Sequence, residues 1–214
     1  MSDFVSTHPA TRIDPKWFST FALQLQQTQT IAGCAGSCDL LLLGDSITEA
    51  CAWMGEFQNP LRGLKICYYG IGGDQTQHVL WRIQNGLLDG IKPKFATLLI
   101  GINNFWPDTS AEEVAAGAIA CGQAMRAKLA DTRLLHFGVF PVGSHILNLN
   151  AKVDQINDRI AAATAGYGAE FHSLGNAFLA ADGREIPGML AADGVHITAK
   201  AYDVWGSRIK ELIA

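Results

Sequence analysis

Four short blocks of this chain carry polar and glycine residues suited to catalysis: "GDS" (44–46), "GIGGDQ" (70–75), "GINN" (101–104) and "ADGVHIT" (192–198). Ser46 is a nucleophile only if a base takes its proton, and that base is usually a histidine oriented by a carboxylate. Asp193 and His196, three residues apart on one loop, can supply both. The oxyanion that develops in such chemistry needs preorganised donors, and the N–H of Ser46, the N–H of Gly73 and the side-chain amide of Asn103 can provide them. A side chain at Gly73 would obstruct that backbone approach. Each block also has an ordinary reading. Ser46 and Glu49 fit a helix capping box, Asp193 can form a turn with Gly194, and His196, Asn103 and Asn104 can be plain loop residues. Their joint occurrence at one end of a common sheet is what favours the chemical reading.

That sheet is legible in the hydropathy pattern. "DLLLL" (39–43), "LKICYYG" (64–70), "FATLLIG" (95–101), "LLHFGVF" (134–140) and "AEFHSLG" (169–175) read as strands. They alternate with helical stretches near 75–90, 110–130 and 148–165, and a last helix runs from about Thr198. Strands alternating with helices at this spacing, and nearly unbroken apolar strands, predict a parallel α/β sheet covered on both faces. With five strands the commonest order is 2-1-3-4-5, and ligands bind beyond the carboxyl ends of the strands near the point of reversal. There the first three blocks become neighbours, and the fourth reaches them by a long loop. Ser110 to Glu113 reads as a capping box, Pro93 as the end of the preceding helix, and residues 17–32 as a helix packed on the sheet's edge or on a partner subunit.

The 214 residues, 49% of them apolar, suffice for one full core, so a single domain over 1–214 is expected, with residues 1–35 as an N-terminal helical extension. A net charge of −4 without basic runs points to a small-molecule partner and away from nucleic acid. The absence of an export signal or an eighteen-residue apolar window points to the cytoplasm and to no membrane span. Five scattered cysteines read as reduced thiols, and Cys34 and Cys38 lack a second ligand pair for zinc, so no metal site is expected.

Of the other histidines, His136 and His172 lie within strand runs and His78 on a helix, whereas His145, after the fourth strand, is second choice as base and is read as lining the substrate site. "GIGGDQ" fails as a dinucleotide fingerprint because Gln75 stands where the third glycine belongs. The G-x-S-x-G elbow of α/β-hydrolases and the phosphate-binding G-x-x-x-x-G-K-[ST] loop are both missing.

Together, "GDSIT", "GIGGD", "GINN" and "DGVH" resemble the four blocks of the SGNH hydrolases, also called the GDSL esterase/lipase family. "GIGGDQTQHVLWRIQNG", "KPK" and "AEEVAAG" look most like the intracellular platelet-activating-factor acetylhydrolase catalytic subunits. The resemblance covers roughly residues 39–212. It implies a flavodoxin-like three-layer α/β/α fold, a triad of Ser46, His196 and Asp193, oxyanion donors at Ser46, Gly73 and Asn103, and neither metal nor organic cofactor. Proteins like these often form homodimers. Tyr68 departs from the family by replacing a common loop-bracing asparagine, as do Ile102 and Asn104 by replacing threonine and aspartate.

Ile47, Ile102 and Val195 each adjoin a candidate catalytic residue and can wall a small acyl pocket, which predicts a serine esterase for short acyl groups such as acetyl. Packing of the core accounts for the same residues equally well. Trp53, Phe105 and Trp106 can hold a leaving group by stacking. The alternatives are an esterase for longer acyl chains and a catalytically silent binding module on the same fold. A histidine base also predicts hydrolysis that falls below about pH 6 to 7.

Overall fold

A computed structural model describes residues 4–34, 37–105, 109–146 and 149–214. The five strands, β1 (Ser37–Gly44), β2 (Ile66–Gly70), β3 (Lys92–Leu99), β4 (Arg133–Phe137) and β5 (Ala169–His172), form one parallel sheet in the order β2-β1-β3-β4-β5. This is the expected order. The leucines of β1 are fully buried because the strand is central: Leu41 and Leu43 enter one layer, Leu40 and Leu42 the other. Each contributes about 1.5–3 kcal/mol by leaving water.

One layer holds α1 (Pro15–Gly33), α4 (Thr76–Arg82), α5 (Ala111–Lys128) and α6 (Asn150–Thr164). The other holds the short α2 (Ser46–Ala50), α3 (Gly55–Gln58) and α7 (Gly175–Phe178) together with α8 (Ala199–Ile213), all packed on an aromatic cluster around Trp205. Helix α1 starts at Pro15 behind the Asp14 cap and buries Trp17, Phe21, Gln24 and Thr28. It lies over the edge strand, where Gln24 Nε2 donates to Gly70 O and Thr28 Oγ1 pairs with the Tyr69 hydroxyl. Ser110 caps α5, its hydroxyl accepting from Glu113 N at 3.1 Å, but the return bond from the Glu113 side chain that would complete the expected capping box does not form. All five cysteines are free thiols, four of them buried.

Two expectations are corrected. Pro93 does not end a helix: it is the second residue of β3, and the preceding helix instead breaks around Gly86, whose φ of 93° leaves the helical region. Ser46 does not cap its helix. Asp45 is the cap, its Oδ1 accepting from Ile47 N at 3.0 Å, and Ser46 is the first helical residue.

Candidate active site

The chain leaves β1 through Gly44 and enters α2 at once. A Cβ on Gly44 would lie 2.3 Å from Leu99 O, and one on Gly70 would lie 2.1 Å from Glu49 N, so α2 can seat directly on the strand ends only over glycines. That close seating fixes Ser46 at the carboxyl end of the central strand. As the first residue of α2, its N–H has no intrahelical acceptor.

Ser46 Oγ is 3.0 Å from His196 Nε2, and His196 Nδ1 is 2.6 Å from Asp193 Oδ2. The serine, histidine and carboxylate are therefore aligned as the sequence suggests. Asp193 Oδ1 also accepts from the N–H groups of Val195 and His196, both at 2.9 Å, so the carboxylate folds its own loop while it orients the ring. Burial alone would raise the Asp193 carboxyl, but the hydrogen bonds from His196, Val195 N and His196 N hold it at about 2. It is ionised wherever the imidazole can act as a base.

The Asp193–His196 loop is held from three directions. Gly143 N donates to Gly194 O at 2.7 Å, Ala191 N donates to His196 O at 2.8 Å, and Thr198 caps α8 behind it. From α8, Tyr202 donates its hydroxyl to Ile47 O, tying the base side of the site to α2. His145 is exposed and packs against the Gly194 backbone: a Cβ on Gly194 would meet its ring at 2.6 Å. It lies beside the Asp193–His196 loop rather than on Ser46.

Gly73 has a φ of 77° and its loop passes beside the serine, where a Cβ on neighbouring Gly72 would lie 3.7 Å from Ser46 Cβ. Among the described residues, neither Gly73 N–H nor Ser46 N–H donates to protein. Asn103 Nδ2 donates one proton to Asp74 O at 2.9 Å, and the Asn103 main-chain carbonyl accepts from Gln75 Nε2 at 2.9 Å. Its second amide proton stays free to join the two main-chain N–H groups. Next to it, Asn104 bridges Thr76 and Gln77, so the second and third blocks are laced together.

Beneath these loops lies a buried ionic pair that no hydropathy pattern reveals. Arg82 and Asp74 are both fully buried and 2.7 Å apart. Arg82 also donates to Gln24 Oε1, Tyr69 O and Gly44 O, and Trp17 Nε1 donates to Asp74 Oδ1 at 2.6 Å. Burial pushes the Asp74 carboxyl up, against the pull of Arg82 and Trp17. Asp45, buried at the same strand end, is raised to about 7 by burial and by the charge of Asp74, against its bond from Ile47 N and the attraction of His196. Glu49, read from sequence as part of a cap, accepts instead from Gly72 N at 2.9 Å.

Ile47, Ile102 and Val195 do converge, with Asp45, Leu99 and Phe140 among their neighbours, around a cavity of about 10 Å³. That is about the space of one water molecule. Trp53 is 63% exposed and free to meet a ligand. Phe105 is not: it is 2% exposed, in the core beneath Lys152, and offers no open face for stacking. Trp106 lies outside the described residues. No helix among the described residues is long and apolar enough to cross a membrane.

Comparison with known proteins gives a consistent picture. The chain is 36% identical over 168 residues to the platelet-activating factor acetylhydrolase IB subunit alpha1 of Rattus norvegicus, a match that takes in 77% of this chain and 66% of the relative's length. The alpha2 subunit of the same organism is 38% identical over 125 residues, 55% of this chain and 52% of its own length. Among solved structures, a GDSL-like lipase from Bacteroides thetaiotaomicron superposes with a TM-score of 0.70 at 17% identity, covering 90% of this chain and 98% of that one. The acetylxylan esterase of Geobacillus stearothermophilus, solved as a catalytic mutant, gives 0.66 at 18% identity over 83% and 94%. These last two likenesses are of fold. The family model for GDSL-like lipases and acylhydrolases matches residues 42–204, a span that holds all four blocks, and the chain belongs to the GDSL-like Lipase/Acylhydrolase family.

Proposed function

We propose that this chain is a serine esterase that hydrolyses short-acyl esters, acetyl esters above all, through an acyl-enzyme intermediate. The observation that carries the reading is the line from Ser46 Oγ to His196 Nε2 (3.0 Å) and from His196 Nδ1 to Asp193 Oδ2 (2.6 Å) at the end of the central strand. In the first half-reaction His196 takes the Ser46 proton as Oγ attacks the ester carbonyl carbon. The negative oxygen that forms is met by Ser46 N–H, Gly73 N–H and the Asn103 amide. Collapse breaks the bond to the alcohol oxygen, which leaves with the proton from His196. Water then attacks acyl-Ser46 with His196 again as base, releasing the carboxylic acid and restoring the hydroxyl.

The preference for acetyl is supported by the smallness of the cavity of about 10 Å³ that Ile47, Ile102 and Val195 wall, since these residues adjoin Ser46, Asn103 and His196 in the chain and leave no space among them for a long acyl chain. The names of the acetylhydrolase relatives agree with it. The substrate is a small-molecule ester, and the compartment that fits the chain's makeup is the cytoplasm. A p-nitrophenyl ester series tests the reading: kcat/KM is expected to fall at least about tenfold from acetate to hexanoate, as an overfilled pocket costs 1–3 kcal/mol. Faster turnover of hexanoate than of acetate would remove the acetyl preference. Undiminished acetate turnover by Ser46→Ala would remove the mechanism.

A further inference from the structure

The N-terminal segment before α1 reaches the oxyanion side of the site, and no motif announces it. Its backbone is anchored at three points. Thr76 Oγ1 donates to Ser6 O at 2.8 Å, Ala10 N donates to Gln77 O at 3.1 Å, and Asp14 caps α1 through Lys16 N at 2.9 Å. Between the last two anchors Arg12 turns inward. Its Nη1 donates to Gly72 O at 2.5 Å, while Nη2 lies 3.4 Å from Asp14 Oδ2, and its side chain is 27% exposed. A Cβ built on Gly73 would meet this guanidinium at 3.0 Å, so the group lies against the Gly73 α-carbon.

Gly72 O belongs to the same peptide unit as Gly73 N–H. A trans peptide is planar, with its carbonyl and its N–H on opposite edges. Holding the carbonyl on Arg12 therefore turns the N–H away from Arg12, and Glu49 fixes the preceding peptide by accepting from Gly72 N. A charged donor on the carbonyl also polarises the peptide and makes its N–H a stronger donor. We infer that Arg12 is a positioning residue for ester hydrolysis: through Gly72 O it orients and polarises the peptide whose N–H, at Gly73, receives the oxyanion. The inference rests on the proposed role of Gly73.

The role of Arg12 makes a kinetic demand that a purely structural contact does not. A better-oriented oxyanion donor acts in the transition state, so its loss lowers kcat and leaves KM alone. With p-nitrophenyl acetate, Arg12→Ala is expected to lower kcat about tenfold with KM within about twofold, a fraction of the roughly 10²–10³ lost with a whole oxyanion donor. Arg12→Lys is expected to fall between Arg12→Ala and wild type. Millimolar guanidinium chloride, well below denaturing levels, is expected to restore part of the lost rate in Arg12→Ala and none in Asn103→Ala. Ser46→Ala and Asn103→Ala, run alongside, separate the two levels of the account. If both cripple turnover while Arg12→Ala keeps kcat within about twofold of wild type, Arg12 has no such role and the oxyanion site stands. A loss in Arg12→Ala that tracks a fall in melting temperature and does not respond to guanidinium also overturns the inference. Full activity in Ser46→Ala would remove the underlying reading with it.

Discussion

The two layers that flank the sheet are built from different materials. The layer of α1, α4, α5 and α6 buries Arg82, Asp74, Gln24 and the Trp17 indole N–H in a directional network that grips Gly44 O, Tyr69 O and Gly70 O at the strand ends. The layer of α3, α7 and α8 is an aromatic pack, with Phe57, Phe137 and Phe140 set around Trp205 at centroid distances of 5.1–5.8 Å. The loops that carry Gly73 and Asn103 stand over the first, and the Asp193–His196 loop stands before α8 of the second. The two halves of the site are accordingly held in different ways. Oxyanion donors must be aimed at one point before the reaction, which suits hydrogen bonds with fixed directions, whereas the histidine is oriented by its own local carboxylate and needs the layer below only as a platform.

The polar layer depends most on Arg82. Arg82→Ala leaves Asp74 buried with Arg12, at 4.0 Å, in place of its close cation and takes a donor from Gln24 Oε1, Tyr69 O and Gly44 O, so unfolding stability is expected to fall by about 3–5 kcal/mol. Activity of the remaining folded protein is expected to fall as well, because Gly44 and Tyr69 frame the loops of the site. Urea denaturation and kcat on the same sample measure both.

Asp45 lies at the seam between the layers and gives the next largest effect. Its folded-state pKa is raised from 3.8 to about 7, so between those values the folded chain holds a proton that the unfolded chain releases, and stability falls as pH rises through that window. Asp45→Asn keeps the cap and removes the titration. Its stability is expected to gain on wild type from pH 4 to pH 8 by at most about 4 kcal/mol. A difference that is flat with pH would mean that Asp45 is ionised in its burial.

The smallest effect tests the aromatic layer. The indole N–H of Trp205 has no partner among the described residues, so Trp205→Phe sacrifices packing alone. Stability is expected to fall by about 1–2 kcal/mol with kcat of the folded protein unchanged. If Trp205→Phe lowered kcat more than Arg82→Ala did, the division of labour between the layers would be wrong.

Much of this architecture was legible from local signals. Four buried leucines followed by Gly-Asp-Ser, with a glycine-rich block after the second strand and a glycine-asparagine block after the third, were enough to give the sheet, its order and the serine's place in it. The alignment of Asp193 with His196 was legible because they are three residues apart and Asx-type turn chemistry brings them together. The buried Asp74–Arg82 pair was not, since an arginine inside an amphipathic stretch reads as a solvated face until the neighbouring helix covers it. Arg12 meets Gly72 across sixty residues, a contact that no periodicity encodes. Asp45 and Ser46 compete for the same cap, and only the backbone of the turn, with Asp45 at φ −103° and ψ −146°, decides between them. Phe105 looked like a loop aromatic because the fold around it, with Lys152 above its ring, comes from a distant helix.

The hydroxyl of Ser46 is proposed as the nucleophile, activated by His196. Labelling with a fluorophosphonate probe followed by peptide mass spectrometry tests it directly. The adduct is expected on Ser46, absent from Ser46→Ala, and formed at least about a hundredfold more slowly in His196→Ala. Labelling of Ser46→Ala as strong as that of wild type, or an adduct on another residue, would contradict it.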